Sequence, residues 1–243
     1  MSRLSPERIL VAFAPAALGI VRPRDPGRVV ACDSRLGPEI WSDALAALKK
    51  IIPEWQNAKT AVTVVLSNHF VRYALVPRDR ALRGAAEELA YARHVFARIH
   101  GERSADWEVL LDDDPRAPLR VGCAIDGALR HGLQACFAAG ARARLVSVQP
   151  YLMAAFNRWR HRLAAPAAAL LLVEPGRACL GRLAYGRWTC LRNLRGEFDA
   201  PEKSTALLER EQALDGNVPE REELVRPRQD EADPYLAMAQ CAL

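Results

Sequence analysis

The composition of this 243-residue chain is that of an ordinary globular protein. Half of its residues are hydrophobic, 26% are charged and the net charge is +5, which excludes a collagen-like or strongly disordered chain. The longest apolar stretch, 164 to 173, contains Pro166 and is too short to span a bilayer. The positive charge permits contact with nucleic acid or anionic lipid but requires neither, because acidic and basic residues are mixed throughout.

The N-terminal residues and the cysteines indicate the cellular compartment of the protein. Residues 1 to 8 show no signal-peptide pattern, and the six cysteines are scattered without a Cys-x-x-Cys pair. We therefore expect a cytoplasmic protein whose thiols are reduced and packed in the core.

Two parts of the sequence, 8 to 34 and 167 to 194, each predict three short strands joined by tight turns. Their apolar runs are separated by turn residues such as Pro-Gly and Tyr-Gly, which is typical of hairpins. A helix-forming stretch follows each triplet, at 39 to 52 and from Pro201 to Gly216. The repetition predicts a duplicated ribonuclease H-like half, as in the actin-like fold.

Further elements fill the remaining sequence. Buried or alternating apolar residues predict strands at 62–66, 69–76, 107–111, 119–125, 145–148 and 223–225. Helical spacing predicts helices at 80–100, 126–140, 151–163 and 234–242, the second of them capped by Asp126. We expect an α/β protein with mixed sheets and flanking helices, divided into a first lobe at 1–150 and a reduced second lobe at 151–243.

The common catalytic motifs are absent from the sequence. It has no Gly-x-x-x-x-Gly-Lys-Ser/Thr or Gly-x-Gly-x-x-Gly loop, no Gly-x-Ser-x-Gly elbow and no histidine pair at metal-ligand spacing. The acidic stretch 112–114 precedes Pro115 and is best interpreted as a solvated turn. A ribonuclease H-like nuclease would need an acid on the first strand as well, and residues 8–13 have none. We therefore predict no catalytic and no metal-binding residues.

Two stretches are candidates for contacts with other molecules. The basic residues of 158–162 favour solvated arginines beside a packed Trp159 over a nucleic-acid or lipid surface. The strand 69–76 is apolar on both faces, which indicates cover by helices on both sides. The alternative is a sheet edge that accepts a partner strand, with Arg72 and Tyr73 as the candidate partner-binding residues.

The order of these elements resembles a known family. The similarity lies in the passage 121–125, Ala139-Gly140 and 145–150, in the second triplet 168–196 and in the closing helix 235–239. Together they resemble the actin-like cytoplasmic platform proteins of type IV pilus assembly and type II secretion, the PilM and GspL group.

The departures from that family concern its nucleotide site. Ala12-Phe13-Ala14 stands where the ATP-binding members carry Asp-x-Gly, and Glu174-Pro175-Gly176 stands at the second such motif. No Gly-Gly turn follows between Gly196 and Pro234, and the second half is too short for the family's inserted subdomain. The resemblance thus implies a degenerate member that holds no cofactor. Glu174 and Gly176 would contact nucleotide only if ATP binds.

The resemblance also implies a function. Such a protein would be a non-catalytic scaffold that docks the tail of an inner-membrane pilus or secretion component, or an assembly ATPase, and would reach the inner face of the membrane through that partner. Two other classes remain open. One is a reduced actin-like ATPase or kinase, and the other is a ribonuclease H-like nucleic-acid-binding domain.

Overall fold

The computed structural model describes residues 7–23, 25–33, 39–55, 60–114, 117–137, 142–198, 200–215, 222–226 and 233–243. In chain order the strands are β1 (Glu7–Phe13), β2 (Ala17–Val21), β3 (Arg28–Ala31), β4 (Thr60–Leu66), β5 (Val71–Pro77), β6 (Trp107–Leu111), β7 (Leu119–Asp126), β8 (Ala143–Pro150), β9 (Ala168–Glu174), β10 (Arg177–Ala184), β11 (Arg187–Arg195) and β12 (Glu223–Val225). The helices are α1 (Ser42–Ile51), α2 (Ala85–His100), α3 (Gly127–Cys136), α4 (Tyr151–Leu163), α5 (Pro201–Asp215) and α6 (Pro234–Gln240).

These elements form two compact units, each assembled from separate stretches of sequence. Unit 1 comprises Met1–Val71, Ile125–Arg158 and Arg228–Leu243, and unit 2 comprises Arg72–Ala124 and Trp159–Pro227. The division into lobes at residue 150 stays a prediction.

Unit 1 is built on a five-stranded mixed sheet with the order β3-β2-β1-β4-β8. The pairs β1–β2 and β2–β3 are antiparallel, whereas β1–β4 and β4–β8 are parallel. Tight turns join the antiparallel strands, and the parallel strands need longer crossovers. The central strand β1 is buried continuously from Ile9 to Phe13, because a strand covered on both faces has no polar side to alternate with.

Two helices pack together in unit 1. Helix α1 buries Ala44, Leu45 and Leu48, and α3 lies against it. Gly132 of α3 faces the side chain of Leu45 so closely that a Cβ there would collide with it. Asp126 caps α3 as predicted, since its Oδ1 accepts a hydrogen bond from the Ala128 N–H at 2.8 Å.

The last helix, α6, closes over β2. It begins at a cap in which Asp233 Oδ1 accepts from the Tyr235 N–H at 2.9 Å, and it buries Met238 and Ala239. Gly19 of β2 allows the approach, because a side chain there would collide with the backbone carbonyl of Tyr235.

One layer of unit 2 is a three-stranded sheet with the order β5-β7-β6, packed against α2. Its core contains Ala74, Val76, Ala92, Phe96, Val109 and Ala124. Gly122 of β7 leaves room for the Phe96 ring, whose nearest atom would lie 3.0 Å from an added Cβ.

The other sheet of unit 2 has the order β11-β10-β9-β12. Strand β10 is antiparallel to both neighbours, and β12 is parallel to β9. Helix α5 covers one face, where Leu207 packs with Leu171, Val173 and Leu180. The strands β3-β2-β1-β4 of unit 1 have the same order and directions as these four strands of unit 2. The predicted duplication is therefore confirmed. The described part of the second sheet has one strand fewer than the first.

The predicted elements agree with the observed ones except at some of their ends. Strand β5 begins at Val71 rather than at residue 69, β8 spans Ala143–Pro150 rather than 145–148, and α1 begins at Ser42 rather than at 39. Helix α2 begins at Ala85 rather than at residue 80. Asp79 Oδ1 accepts from the Ala81 N–H at 2.8 Å in a local turn, and Gly84 has a φ of 104°, which is incompatible with a helix. Helix α6 ends at Gln240 rather than at 242. The predicted ends near Gly140 and Gly216 lie outside the described residues. In the described ranges no helix is both long and apolar enough to cross a membrane.

Candidate functional site

The β1–β2 turn of unit 1 is lined by methyl groups and closed by backbone hydrogen bonds. Ala12 and Ala14 are buried. The Ala14 N–H donates to the Ala17 carbonyl at 3.2 Å, and the Phe13 carbonyl accepts from the Ser67 N–H at 2.9 Å. The turn thus offers no carboxylate to orient a metal ion, and its Ala14 amide is already engaged.

Two fully buried polar residues that the sequence analysis did not single out follow β4. Ser67 Oγ accepts from the His69 N–H at 3.1 Å, and its carbonyl accepts from the Phe70 N–H at 3.0 Å. Asn68 is equally buried and lies between Ser67 and His69 in the same turn. Serine and asparagine are common turn formers for this reason, so the available signal indicated a turn and not a site.

The β9–β10 turn of unit 2 places an acid and an arginine side by side. Pro175 and Gly176 are its two central residues, and Gly176 has a φ of 76°, as the third position of a type II turn requires. Glu174 and Arg177 face each other across the strands and are each only 4% exposed. Arg177 Nη1 donates to Asn193 Oδ1 at 3.0 Å. A role of Glu174 and Gly176 in nucleotide binding stays a prediction.

A second arginine, Arg195, lies opposite Arg177 because of a β-bulge. The register of β10 and β11 shifts between Arg182 and Leu183, so that Thr189 is an extra residue on β11. Thr189 Oγ1 donates to the Arg182 carbonyl at 3.2 Å. Beyond the bulge Arg195 pairs with Arg177, and side chains at paired positions project from the same face. If the register at Leu183 and Trp188 continued without a bulge, Leu194 would pair with Arg177 instead.

A third arginine, Arg72 of β5, comes from the other sheet of unit 2. Burial and then the charge of Arg195 lower the pKa of Arg72. Burial and then the charges of Arg72 and Arg195 lower the pKa of Arg177, while Glu174 acts in the opposite direction. We call Arg72, Arg177 and Arg195 the arginine cluster. The charges of Arg72 and Arg195 act on Arg177, and the charge of Glu174 acts on it in the opposite direction.

The predicted docking strand is an edge strand in the described sheet. β5 has β7 as its neighbour there. Its alternation places Arg72 on the face of Ala74 and Val76, towards α2, and Tyr73 on the other face. Arg72 and Tyr73 are both partly buried, and both have contacts within the protein. The partner-binding role of Arg72 and Tyr73 stays a prediction.

The acidic stretch 112–114 follows the C-terminal end of β6. Asp112 is tied by its N–H to the Val121 carbonyl at 2.9 Å, and Asp113 is exposed. Both line a pocket of about 320 Å³ that also contains Arg120, which pairs with Glu88 at 3.0 Å. Within the described ranges no three His, Cys, Asp or Glu side chains gather as a metal site requires.

The basic residues of 158–162, at the end of α4, contact residues of the unit to which each belongs. Arg158 Nη1 donates to the Gln240 carbonyl at 3.1 Å, and Arg162 forms an ion pair with Glu223 at 2.5 Å. Trp159 is partly buried at a kink with φ −106° and ψ 18°. These arginines are exposed but engaged with the protein, in agreement with the structural interpretation.

The chain is similar to known proteins in its structure and not in its sequence. No protein-family model and no curated protein matches the chain by sequence. Solved structures do match over nearly its whole length. One is PilM of the PilM–PilN type IV pilus biogenesis complex, with a TM-score of 0.62 and 15% identity over 97% of this chain and 86% of that one.

Two further solved structures resemble the chain. A Bacteroides thetaiotaomicron protein of unknown function with an actin-like ATPase fold has a TM-score of 0.61 and 13% identity, covering 95% of this chain and 85% of that one. The cytoplasmic domain of EpsL, an inner-membrane component of the Vibrio cholerae type II secretion system, has a TM-score of 0.51 and 14% identity over 97% and 94%. The repeated mixed sheets and these similarities together show that the chain has the actin-like fold, in a form similar to PilM and the cytoplasmic domain of EpsL.

Proposed function

We propose that the protein is a non-catalytic cytoplasmic scaffold that docks an inner-membrane component of a pilus or secretion machine, or its assembly ATPase. The observation that carries the proposal is the similarity over 97% of the chain to PilM in its complex with PilN and to the cytoplasmic domain of EpsL. Fold similarity alone is compatible with several activities. The choice between a scaffold and an ATPase therefore depends on the chemistry of the turns.

The chemistry of the β1–β2 turn favours a scaffold over an ATPase. Ala12 and Ala14 are buried methyl groups where an ATPase of this fold would need a carboxylate and a glycine, and the Ala14 amide is bound to Ala17. Phosphate binding by a turn depends on free backbone amides, and magnesium depends on oxygen ligands.

The most direct test is capture of a partner. The full-length protein, immobilised, is incubated with detergent extracts that contain inner-membrane pilus or secretion proteins, and bound proteins are identified by mass spectrometry. We expect a specific inner-membrane component or assembly ATPase to be retained. Retention of single-stranded nucleic acid instead, at physiological salt, would overturn the scaffold function.

Variants of β5 locate the docking surface. Arg72→Glu and Tyr73→Ala change the two candidate partner-binding residues of β5. Arg187→Glu reverses an exposed charge elsewhere on unit 2. We expect the β5 variants to weaken capture at least about tenfold, or about 1.4 kcal/mol, and Arg187→Glu to leave it unchanged. Equal capture by all variants would move the docking surface away from β5 while leaving the scaffold function intact.

A further inference from the structure

The two halves of the chain repeat the same succession of elements as far as their fourth strand. In each half three antiparallel strands lead through a helix, α1 or α5, to a strand that is parallel to the first, β4 to β1 and β12 to β9. In unit 1 the free edge of β4 is covered by β8, which pairs with it in parallel from Thr60 to Leu66. In the described part of unit 2, β12 is the last strand of the sheet, and no strand lies in the place that corresponds to β8.

The sequence between β12 and the next helix is too short to contain a counterpart of β8. In unit 1 the chain passes through three strands and two α-helices between β4 and β8. In the second half β12 ends at Val225 and α6 begins at Pro234, so that residues 226–233 are all that separates them. A parallel strand needs a crossover of about a dozen residues before it begins. The second half therefore repeats the sheet without its parallel fifth strand.

The outer edge of β12 presents backbone groups that the sheet does not use. The Glu223 N–H donates to the Ala167 carbonyl at 3.0 Å, towards β9. Because successive residues of a strand direct their N–H and C=O groups to opposite sides, those of Leu224 point away from β9. The Leu224 carbonyl accepts from Arg162 Nη2 at 3.4 Å. The Leu224 N–H has no hydrogen-bond partner in the described ranges.

Contacts with two helices hold this short strand in place. Glu222 accepts a hydrogen bond from Gln212 of α5 at 3.2 Å. Glu223, whose side chain lies on the opposite face of the strand, accepts one from Arg162 of α4 at 2.8 Å. Val225 is fully buried. The edge is thus preorganised, which lowers the entropic cost of pairing with another chain.

This edge selects an extended polypeptide rather than an ion. Its acidic side chains are already paired, Glu223 with Arg162. Glu222 is likewise paired with Arg182 at 3.5 Å. Between them the edge offers the Leu224 N–H and the Leu224 side chain, which is 39% exposed. A neighbouring strand supplies both a complementary backbone and an apolar side chain that would cover Leu224.

From these observations we propose that an extended segment of the docked partner adds to the sheet of unit 2 along β12, parallel to it, with an apolar side chain beside Leu224. The segment takes the place that β8 has in unit 1, and one of its N–H groups replaces Arg162 on the Leu224 carbonyl. Main-chain hydrogen bonds supply the affinity in strand addition of this kind. The proposal rests on the scaffold function proposed above for the source of the segment, and its surface is separate from the candidate surface on β5.

The binding test uses a peptide with the sequence of β8, 143–150, because this sequence pairs with the corresponding edge in unit 1. The peptide carries fluorescein and is titrated with the full-length protein, and a peptide of the same composition in scrambled order is the control. We expect saturable and tighter binding of the β8 peptide. Leu224→Pro removes only an outward N–H, which an edge strand tolerates, and should weaken binding at least about tenfold. Leu224→Ala keeps that N–H and should weaken it by less than about fivefold. Equal binding by wild type and Leu224→Pro, or no binding at all, would overturn the proposal.

Hydrogen exchange of single amides tests the geometry in the wild type and keeps the proposal testable if Leu224→Pro fails to fold. In the free protein the Leu224 N–H should exchange faster than the Glu223 N–H, which is bonded to Ala167. The β8 peptide should slow exchange at Leu224 and leave Glu223 unchanged. Equal slowing at both residues would indicate general stabilisation instead of an added strand, and no slowing would show that the edge stays open. Either result would overturn the proposal.

Partner capture separates this proposal from the scaffold function. If a pilus or secretion component is captured from the membrane extract equally well by wild type and Leu224→Pro, the added segment is wrong and the scaffold function stands. If the β8 peptide binds through Leu224 but no such component is captured, the scaffold function fails and the strand-accepting edge remains. If sedimentation shows dimers that Leu224→Pro dissociates, a second copy of the chain fills the edge and the partner segment is wrong.

Discussion

At the scale of single residues, the cysteines differ in their exposure. Cys123, Cys179, Cys190 and Cys241 are buried, and Cys32 and Cys136 are partly exposed. Burial raises the pKa of Cys123 and of Cys241 to about 12, so their reactive thiolate forms are scarce at neutral pH.

This difference predicts thiol reactivity. We expect a thiol reagent such as Ellman's to modify at most Cys32 and Cys136 in the native protein and all six cysteines after denaturation. Cys32→Ser together with Cys136→Ser should abolish the fast phase. Rapid modification of that double variant would show that the buried thiols are accessible.

His100 predicts a pH dependence of stability. Its ring lies 4.9 Å from the Trp107 ring, and burial, followed by the charge of Arg72, lowers its pKa. Well above about pH 6.5 the residue is neutral in both the folded and the unfolded state. As pH falls below that value, the unfolded state takes up the proton first and the free energy of unfolding decreases. Urea titrations across this range should show a smaller decrease for His100→Phe. His131→Gln, at an exposed site on α3, is the control, and an equal change in both variants would contradict the role of His100.

At the scale of elements, α6 depends on Gly19. A Cβ at that position would collide with the Tyr235 carbonyl, which is backbone and cannot rotate away. We expect Gly19→Ala to displace α6 and to lower the free energy of unfolding by about 1–3 kcal/mol, measured by chemical denaturation. Met238→Ala removes the buried anchor of α6, so the double variant should lose less than the sum of the two single losses. Simple additivity would show that Gly19 acts independently of α6.

The elements themselves could be predicted from the sequence, but the arginine cluster could not. The strands of both triplets follow from local apolar runs and from Pro175-Gly176 and Tyr185-Gly186 at their turns. The pairing of Arg177 with Arg195 depends on the bulge at Thr189, since a bulge changes which face a side chain occupies. No local pattern of residues marks such a bulge. The approach of Arg72 from another sheet is a long-range contact, which is equally invisible in a local pattern.

At the scale of the whole molecule, an actin-like fold has been retained while the chemistry of its turns differs between the two sheets. In unit 1 the β1–β2 turn is apolar around Ala12 and Ala14. In unit 2 the corresponding turn is charged, with Glu174 and Arg177 beside it. Neither combination reproduces a set of free amides and carboxylates suited to magnesium and phosphate. Under the proposed scaffold function, the fold is a support for contacts with a partner rather than a nucleotide clamp.

The whole-molecule prediction is that magnesium-ATP does not bind appreciably and does not affect partner capture. A ligand that binds only the folded state raises the thermal midpoint, so magnesium-ATP should leave that midpoint unchanged and give no saturable heat in calorimetry. A dissociation constant in the low micromolar range, about −8 kcal/mol, would contradict this expectation. In that case Glu174→Gln distinguishes two origins. Loss of magnesium dependence would identify Glu174 as a metal ligand, whereas binding that is independent of magnesium and lost in Arg177→Gln would place the phosphates on the arginine cluster.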